Sequence, residues 1–228
     1  QLKPKTNIEG VKNELKKTKE ATTLLYKYGV NKINYYDELT DELLRAKKGG
    51  VLSLGELLKV GRLLKSSLLV RSDILKVDDD EISYFKEIAN KIYIDTELQN
   101  DIFTKIISND EMSDNASPEL FRIRKQIVNL NERIKLQLNS YVKKGASEYI
   151  QDNVVTVRNG RYVIPVKAEF KNNVKGLIHD QSSSGATVFI EPEAIVKFNN
   201  DLATLKSEEK AEIYKILAQL SSFVGNIA

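Results

Sequence analysis

Apolar residues keep a helical period along most of the chain and switch to alternation over one central stretch. From Ile8 to Tyr28, the positions Ile8, Val11, Leu15, Ala21, Leu24 and Leu25 fall mostly three or four apart. That is the spacing of one helix face, and Gly29 supplies a stop. A second helix is predicted over Tyr35 to Ala46, ended by Gly49-Gly50. Ser53 reads as the N-cap of a third, with Glu56 completing a capping box. Shorter helices are predicted over 81–91 and 95–107, followed by the acidic loop SNDEMSDNAS. Ser117-Pro118-Glu119 then combines an N-cap, a proline at the first helical position and an early acid. Leu120, Ile123, Ile127, Leu130, Ile134 and Leu138 follow as a narrow seam. A helix reaching Ser147 would hold about 30 residues and span roughly 45 Å.

The period then changes. In VVTVRNGRYVIPV, strand-forming residues flank Asn159-Gly160, the dipeptide suited to a two-residue hairpin turn. Pro165 cannot donate a ladder hydrogen bond, which predicts an edge or a bulge. A second pair, VKGLIHDQ and ATVFIE, is joined through Ser182-Ser183-Ser184-Gly185. Helical spacing returns at Ile195, Phe198, Leu202 and Leu205, slips at Glu208-Glu209, and resumes at Ile213, Ile216 and Leu220. The expected fold is mainly α with a small antiparallel β unit. A helical core (1–115) precedes an outgoing lever helix (116–149), a β tip (150–192) and a returning lever helix (193–228), the two lever helices packing antiparallel.

Composition narrows the chemistry. The 228 residues include no cysteine and one histidine, which argues against a zinc site or a disulfide framework. Thirty-five basic against 32 acidic side chains exclude a polycation and leave room for a local basic patch. No apolar run approaches the roughly 20 residues of a membrane span, and no leader-type segment opens the chain; a cytoplasmic protein is expected. The chain starts at Gln1 and stops inside an amphipathic pattern, the expectation for a piece of something longer.

GLIHDQSSSGATVFIEP holds the only histidine beside Asp180 and three serines. Adjacent on a strand, His179 and Asp180 point to opposite faces, and no G-x-S-x-G elbow accompanies them. A catalytic centre is therefore not expected. Backbone amides around Ser182, Ser183, Ser184 and Gly185 could form an anion nest, or the turn is simply solvated. Around it lie Lys143, Lys144, Arg158, Arg161, Lys167, Lys171 and Lys175 against Glu148, Asp152 and Glu169. Such a patch could neutralise phosphates, or its lysines could discourage strand pairing. Arg158 and Arg161 flank the Asn-Gly turn and are expected to project from the hairpin end.

VRNGRYVIPVKAEF, then VKGLIHDQSSSGATVFIEPEAIVKFNN with its Asn199-Asn200 pair, resembles the bacterial MutS paralogues of the second type, the MutS2 family. Weaker echoes are LKPKTNIEGVKNELKKTKEA, RAKKGGVLSLGELL and NASPELFRIRKQI. The resemblance implies a core, lever and clamp-like architecture from a homodimeric ATPase, with ATP and Mg bound by a domain outside this chain and a nuclease-type Smr domain beyond that. It also implies suppression of recombination on branched DNA or, in some bacteria, action on collided ribosomes. Taken with the basic patch and the serine turn, it points to a nucleic-acid-binding tip carrying Arg158, Arg161, Lys167, Lys171, Lys175, Ser182, Ser183 and Ser184; no catalytic residue, metal or cofactor is expected in this chain. DNA, whether branched or duplex, and the RNA of a ribosome are the expected partners.

Overall fold

A computed structural model describes residues 6–30, 38–143, 148–150 and 155–228. Seven α-helices and four strands are described: α1 (Ile8–Tyr26), α2 (Thr40–Lys47), α3 (Leu54–Leu75), α4 (Ser83–Lys91), α5 (Thr96–Lys105), α6 (Pro118–Tyr141), β1 (Thr156–Arg158), β2 (Arg161–Lys167), β3 (Gly176–Gln181), β4 (Thr187–Pro192) and α7 (Glu193–Ile227). The fold is mainly α with one small antiparallel sheet, as the periodicity predicts.

Two compact units divide the chain: Gln1–Ser113 with Leu217–Ala228, and Asp114–Ile216. In the first, α3 begins at the expected capping box, the Ser53 side chain accepting from Glu56 N–H while Glu56 returns to the Ser53 backbone. Leu52, Leu57, Ile102 and Ile106 are fully buried there. A smaller apolar cluster gathers Leu24, Val77 and Ile82. Gly29 ends α1 with φ +67°, a left-handed conformation that glycine adopts without a Cβ clash. The second helix is shorter than expected: α2 starts at Thr40, and Tyr35 to Asp37 lie outside the described residues.

In the second unit, Ser117 caps α6 by accepting from Leu120 N–H, with Pro118 in the first turn. Regular α geometry ends at Tyr141 after 24 residues. Val142 and Lys143 continue in a wider π turn, and the rest of the predicted run, Lys144 to Ser147, lies outside the described residues. The sheet order is β1-β2-β4-β3. Asn159 and Gly160 take φ +50° and +76° and pair Arg158 with Arg161, the mirror-image turn that suits the twist of paired strands.

Pro165 is not at an edge. It lies in β2, an inner strand, opposite Phe189 of β4. Alternate residues of a strand direct their backbone polar groups to alternate neighbours. Pro165 therefore turns its nitrogen toward the β1 side, where the described pairing breaks off at Thr156–Val163 and resumes at Ile150–Val166; its missing N–H falls in that interruption and costs no described ladder bond.

One apolar core joins sheet to helices in this unit. Leu130, Ile134 and Leu138 of α6 meet Ile164 and Val166 of β2, Val188 and Ile190 of β4, and Ile195 and Leu202 of α7. The seam seen in the sequence is thus the face of α6 that covers the sheet and α7.

A candidate nucleic-acid interface on the sheet

Glu191, near the end of β4, has no exposed surface. Its carboxylate receives Arg161 through two hydrogen bonds of 2.7 Å, from Nε and from a terminal nitrogen. Asn199 Nδ2 donates to it at 2.8 Å, and His179 Nε2 lies 2.5 Å from Oε2. Burial alone would push this carboxyl up. Arg161, Asn199 and His179 outweigh that and hold it below the usual carboxylate range. The same contact raises Arg161 above its ordinary value.

The network continues into α7. Asn199 Oδ1 accepts from the Tyr162 backbone N–H and its Nδ2 donates to the Tyr162 carbonyl, both at 3.0 Å. Arg161 also donates to Asn200 Oδ1 at 2.7 Å. Toward α6, the Tyr162 hydroxyl donates to Asn131 Oδ1 at 3.0 Å. The expectation that Arg161 projects from the hairpin is therefore corrected: its guanidinium folds back onto a buried carboxylate, because bidentate pairing satisfies a charge that could not otherwise be buried.

Arg158 is also engaged. Its guanidinium stacks 4.1 Å from the Phe189 ring centroid, and its Nε lies 3.2 Å from Asp180. Lys167 donates to the Glu148 carbonyl at 3.3 Å. By contrast, Lys171 and Lys175 are exposed, and neither forms an ion pair with another described residue. Lys143 is exposed as well; Lys144 and Asp152 fall outside the described residues.

The serine turn is self-contained. Gly185 N–H donates to the Ser182 carbonyl at 2.8 Å and Ser182 N–H to the Thr187 carbonyl at 2.9 Å. Thr187 N–H donates to Ser182 Oγ at 3.0 Å, and the Ser182 and Ser184 hydroxyls approach to 3.4 Å. Ser183 is exposed at the turn's apex. Of the three hydroxyls it is the one without a hydrogen bond inside the turn.

A register shift between Ile178 and Asp180 bulges β3 at His179. Its side chain goes to Glu191 and that of Asp180 to Arg158, so the two neighbours serve different partners. Asn159 Nδ2 donates to the His179 carbonyl at 3.2 Å, and Asp180 Oδ1 accepts from Gln181 N–H at 2.8 Å.

This set of residues, R-N-G-R-Y on the first hairpin, I-E-P closing the second and Asn199-Asn200 two turns into α7, coincides with the segments that carry the resemblance noted above. A protein of Clostridioides difficile strain 630 named endonuclease MutS2 is 36% identical over 230 residues, covering 100% of this chain and 29% of its own length. One of the same name from Clostridium perfringens strain SM101 is 41% identical over 224 residues, 98% of this chain and 28% of its own. Along nearly its whole length the chain is similar to part of these MutS2 proteins. A MutS2 protein of Alkaliphilus oremlandii is 39% identical over 228 residues, covering 99% of this chain and 29% of its own length. The chain thus spans a little under a third of the MutS2 relatives it matches. No family model matches it. No described helix is long and apolar enough to cross a membrane.

Sequence reasoning located the strands and their basic residues and missed Glu191, Asn199 and Asn200 as their organising centre. The available signal was a glutamate between Ile190 and Pro192, in a strand that is otherwise apolar after Thr187.

Proposed function

We propose that this chain is the core, lever and clamp-like portion of a MutS2 ATPase. In this reading the sheet is a nucleic-acid contact surface that grips backbone phosphate without reading base sequence. The observation that carries the reading is the division among the cations. Arg158 and Arg161 are used inside the sheet, while Lys171 and Lys175 stand exposed, with the Ser183 hydroxyl on the serine turn. Lysines contribute to affinity by releasing counterions, a term that salt suppresses. Hydroxyls and turn amides position phosphate without base specificity.

The working ligand is branched or duplex DNA, consistent with recombination suppression. ATP and Mg, homodimerisation and the cleavage implied by the relatives' name belong in this reading to the remainder of a full-length protein. The chain supplies binding and leverage.

The test is a fluorescence-anisotropy titration with a labelled four-way junction and a matched duplex at two salt concentrations. Salt-sensitive binding that is weakened by Lys171→Glu with Lys175→Glu is expected. Each phosphate contact removed should flatten the log–log salt slope by about 0.9 on duplex DNA. No binding at low salt would overturn the DNA assignment and favour the alternative, a mechanical module of the same ATPase acting on collided ribosomes.

A further inference from the structure

The sheet is attached to its two long helices by different kinds of contact. Toward α6 the attachment is the shared apolar core plus the single Tyr162–Asn131 hydrogen bond among described residues. Apolar contact is non-directional and sets no single orientation by itself. Toward α7 the same core includes Ile195 and Leu202, and a convergent, largely buried polar set is added to it: Asn199 clamps the Tyr162 backbone on both its groups and also holds Glu191, while Asn200 takes Arg161. Asn199 is 2% exposed and Glu191 0%. Bidentate and charge-assisted hydrogen bonds fix an orientation as well as a distance, and leaving any of these groups unpaired is costly. There is also no connector: β4 ends at Pro192, α7 starts at Glu193, and Glu193 N–H donates to the Lys175 carbonyl at 3.1 Å.

We infer that Glu191, Asn199 and Asn200 are positioning residues that key the sheet to α7, so that Lys171, Lys175 and the serine turn hold a fixed orientation to α7. The part of this statement that concerns ligand contact rests on the nucleic-acid reading above; the keying itself does not. Asn199 and Asn200 touch no proposed ligand. They act through Arg161, Glu191 and the Tyr162 backbone.

The chain has no cysteine, so introduced pairs can be spin-labelled without background. One pair joins the sheet to α7 (Ala186→Cys with Lys206→Cys), the other joins it to α6 (Ala186→Cys with Lys135→Cys); all three positions are exposed. Measured without nucleic acid, the sheet–α7 distance distribution is expected to be narrow and the sheet–α6 distribution broader. Asn199→Ala should abolish the narrow sheet–α7 distribution, and Asn200→Ala, at an exposed site, should broaden it while leaving the fold intact. Equal widths for the two pairs in the parent chain would overturn the inference. So would an unchanged sheet–α7 width in both asparagine variants, or a parallel broadening of both pairs, which marks general loosening. Because no ligand is present, a chain that fails to bind DNA leaves this result standing, and a mobile sheet leaves the anisotropy result standing.

Discussion

A glutamate with no exposed surface stays ionised only while its donors are in place. Arg161→Ala removes two of the hydrogen bonds to Glu191 and leaves a buried carboxylate short of its main counter-charge. Breaking one partner of a buried pair costs about 3–5 kcal/mol, and a loss of that order is expected in chemical denaturation followed by a probe on the sheet. The pH dependence has a definite sign. The Glu191 carboxyl is lowered in the folded state from its ordinary value of 4.5, so its contribution is fully present above that value. It is lost as pH falls from about 4.5 through the lower folded-state value. Stability measured from pH 7 down to pH 3 should fall more steeply in the parent chain than in Glu191→Gln, which has no carboxyl to titrate; parallel curves would place the acid sensitivity elsewhere.

At the level of elements, the Asn159-Gly160 turn and the β3–β4 pair are the sensitive points. Gly160 at φ +76° should lose about 1 kcal/mol on substitution by alanine, the cost of a left-handed conformation for a residue with a Cβ. Gly176 is tighter. A Cβ there would run into the Glu191 carbonyl, and overpacking of this kind costs about 1–3 kcal/mol. Gly176→Ala is therefore expected to weaken β3–β4 pairing more than Gly160→Ala weakens the first hairpin, as read from amide exchange in β4. Local signals made these elements legible: the capping box at Ser53, the Ser117-Pro118 start and the Asn-Gly turn each act within a few residues. The Glu191 network was not legible because its partners lie far apart in sequence. Arg161 is 30 residues from Glu191 and Asn199 is 37 from Tyr162. An arginine beside a hairpin turn looks exposed until the strand that carries its acid is placed. Pro165 sits on an inner strand rather than an edge for a related reason, since which N–H groups a strand needs depends on where pairing along each side is interrupted.

Across the whole molecule, α7 contributes to both compact units, its last residues packing with the first. There Ser221 accepts from the Leu52 backbone N–H at 2.8 Å while donating to the Leu217 carbonyl. The apolar cluster under the sheet lies within the second unit, so damage there is expected to open that unit first. Arg161→Ala is expected to accelerate hydrogen exchange in β2 and β4 and to leave α3 and α5 at parent rates. Acceleration throughout would show that the units unfold together.

The side chains of Asn159 and Asp180 have one more consequence. Among the described residues β3 has a sheet neighbour on one side only, and an open strand is a template on which further chains can assemble. Here the His179 carbonyl is occupied by Asn159 and the Gln181 amide by Asp180, so two of the groups a newcomer would need are taken by the protein itself. An open strand can thus stand at the border of the sheet without becoming the seed of a fibre.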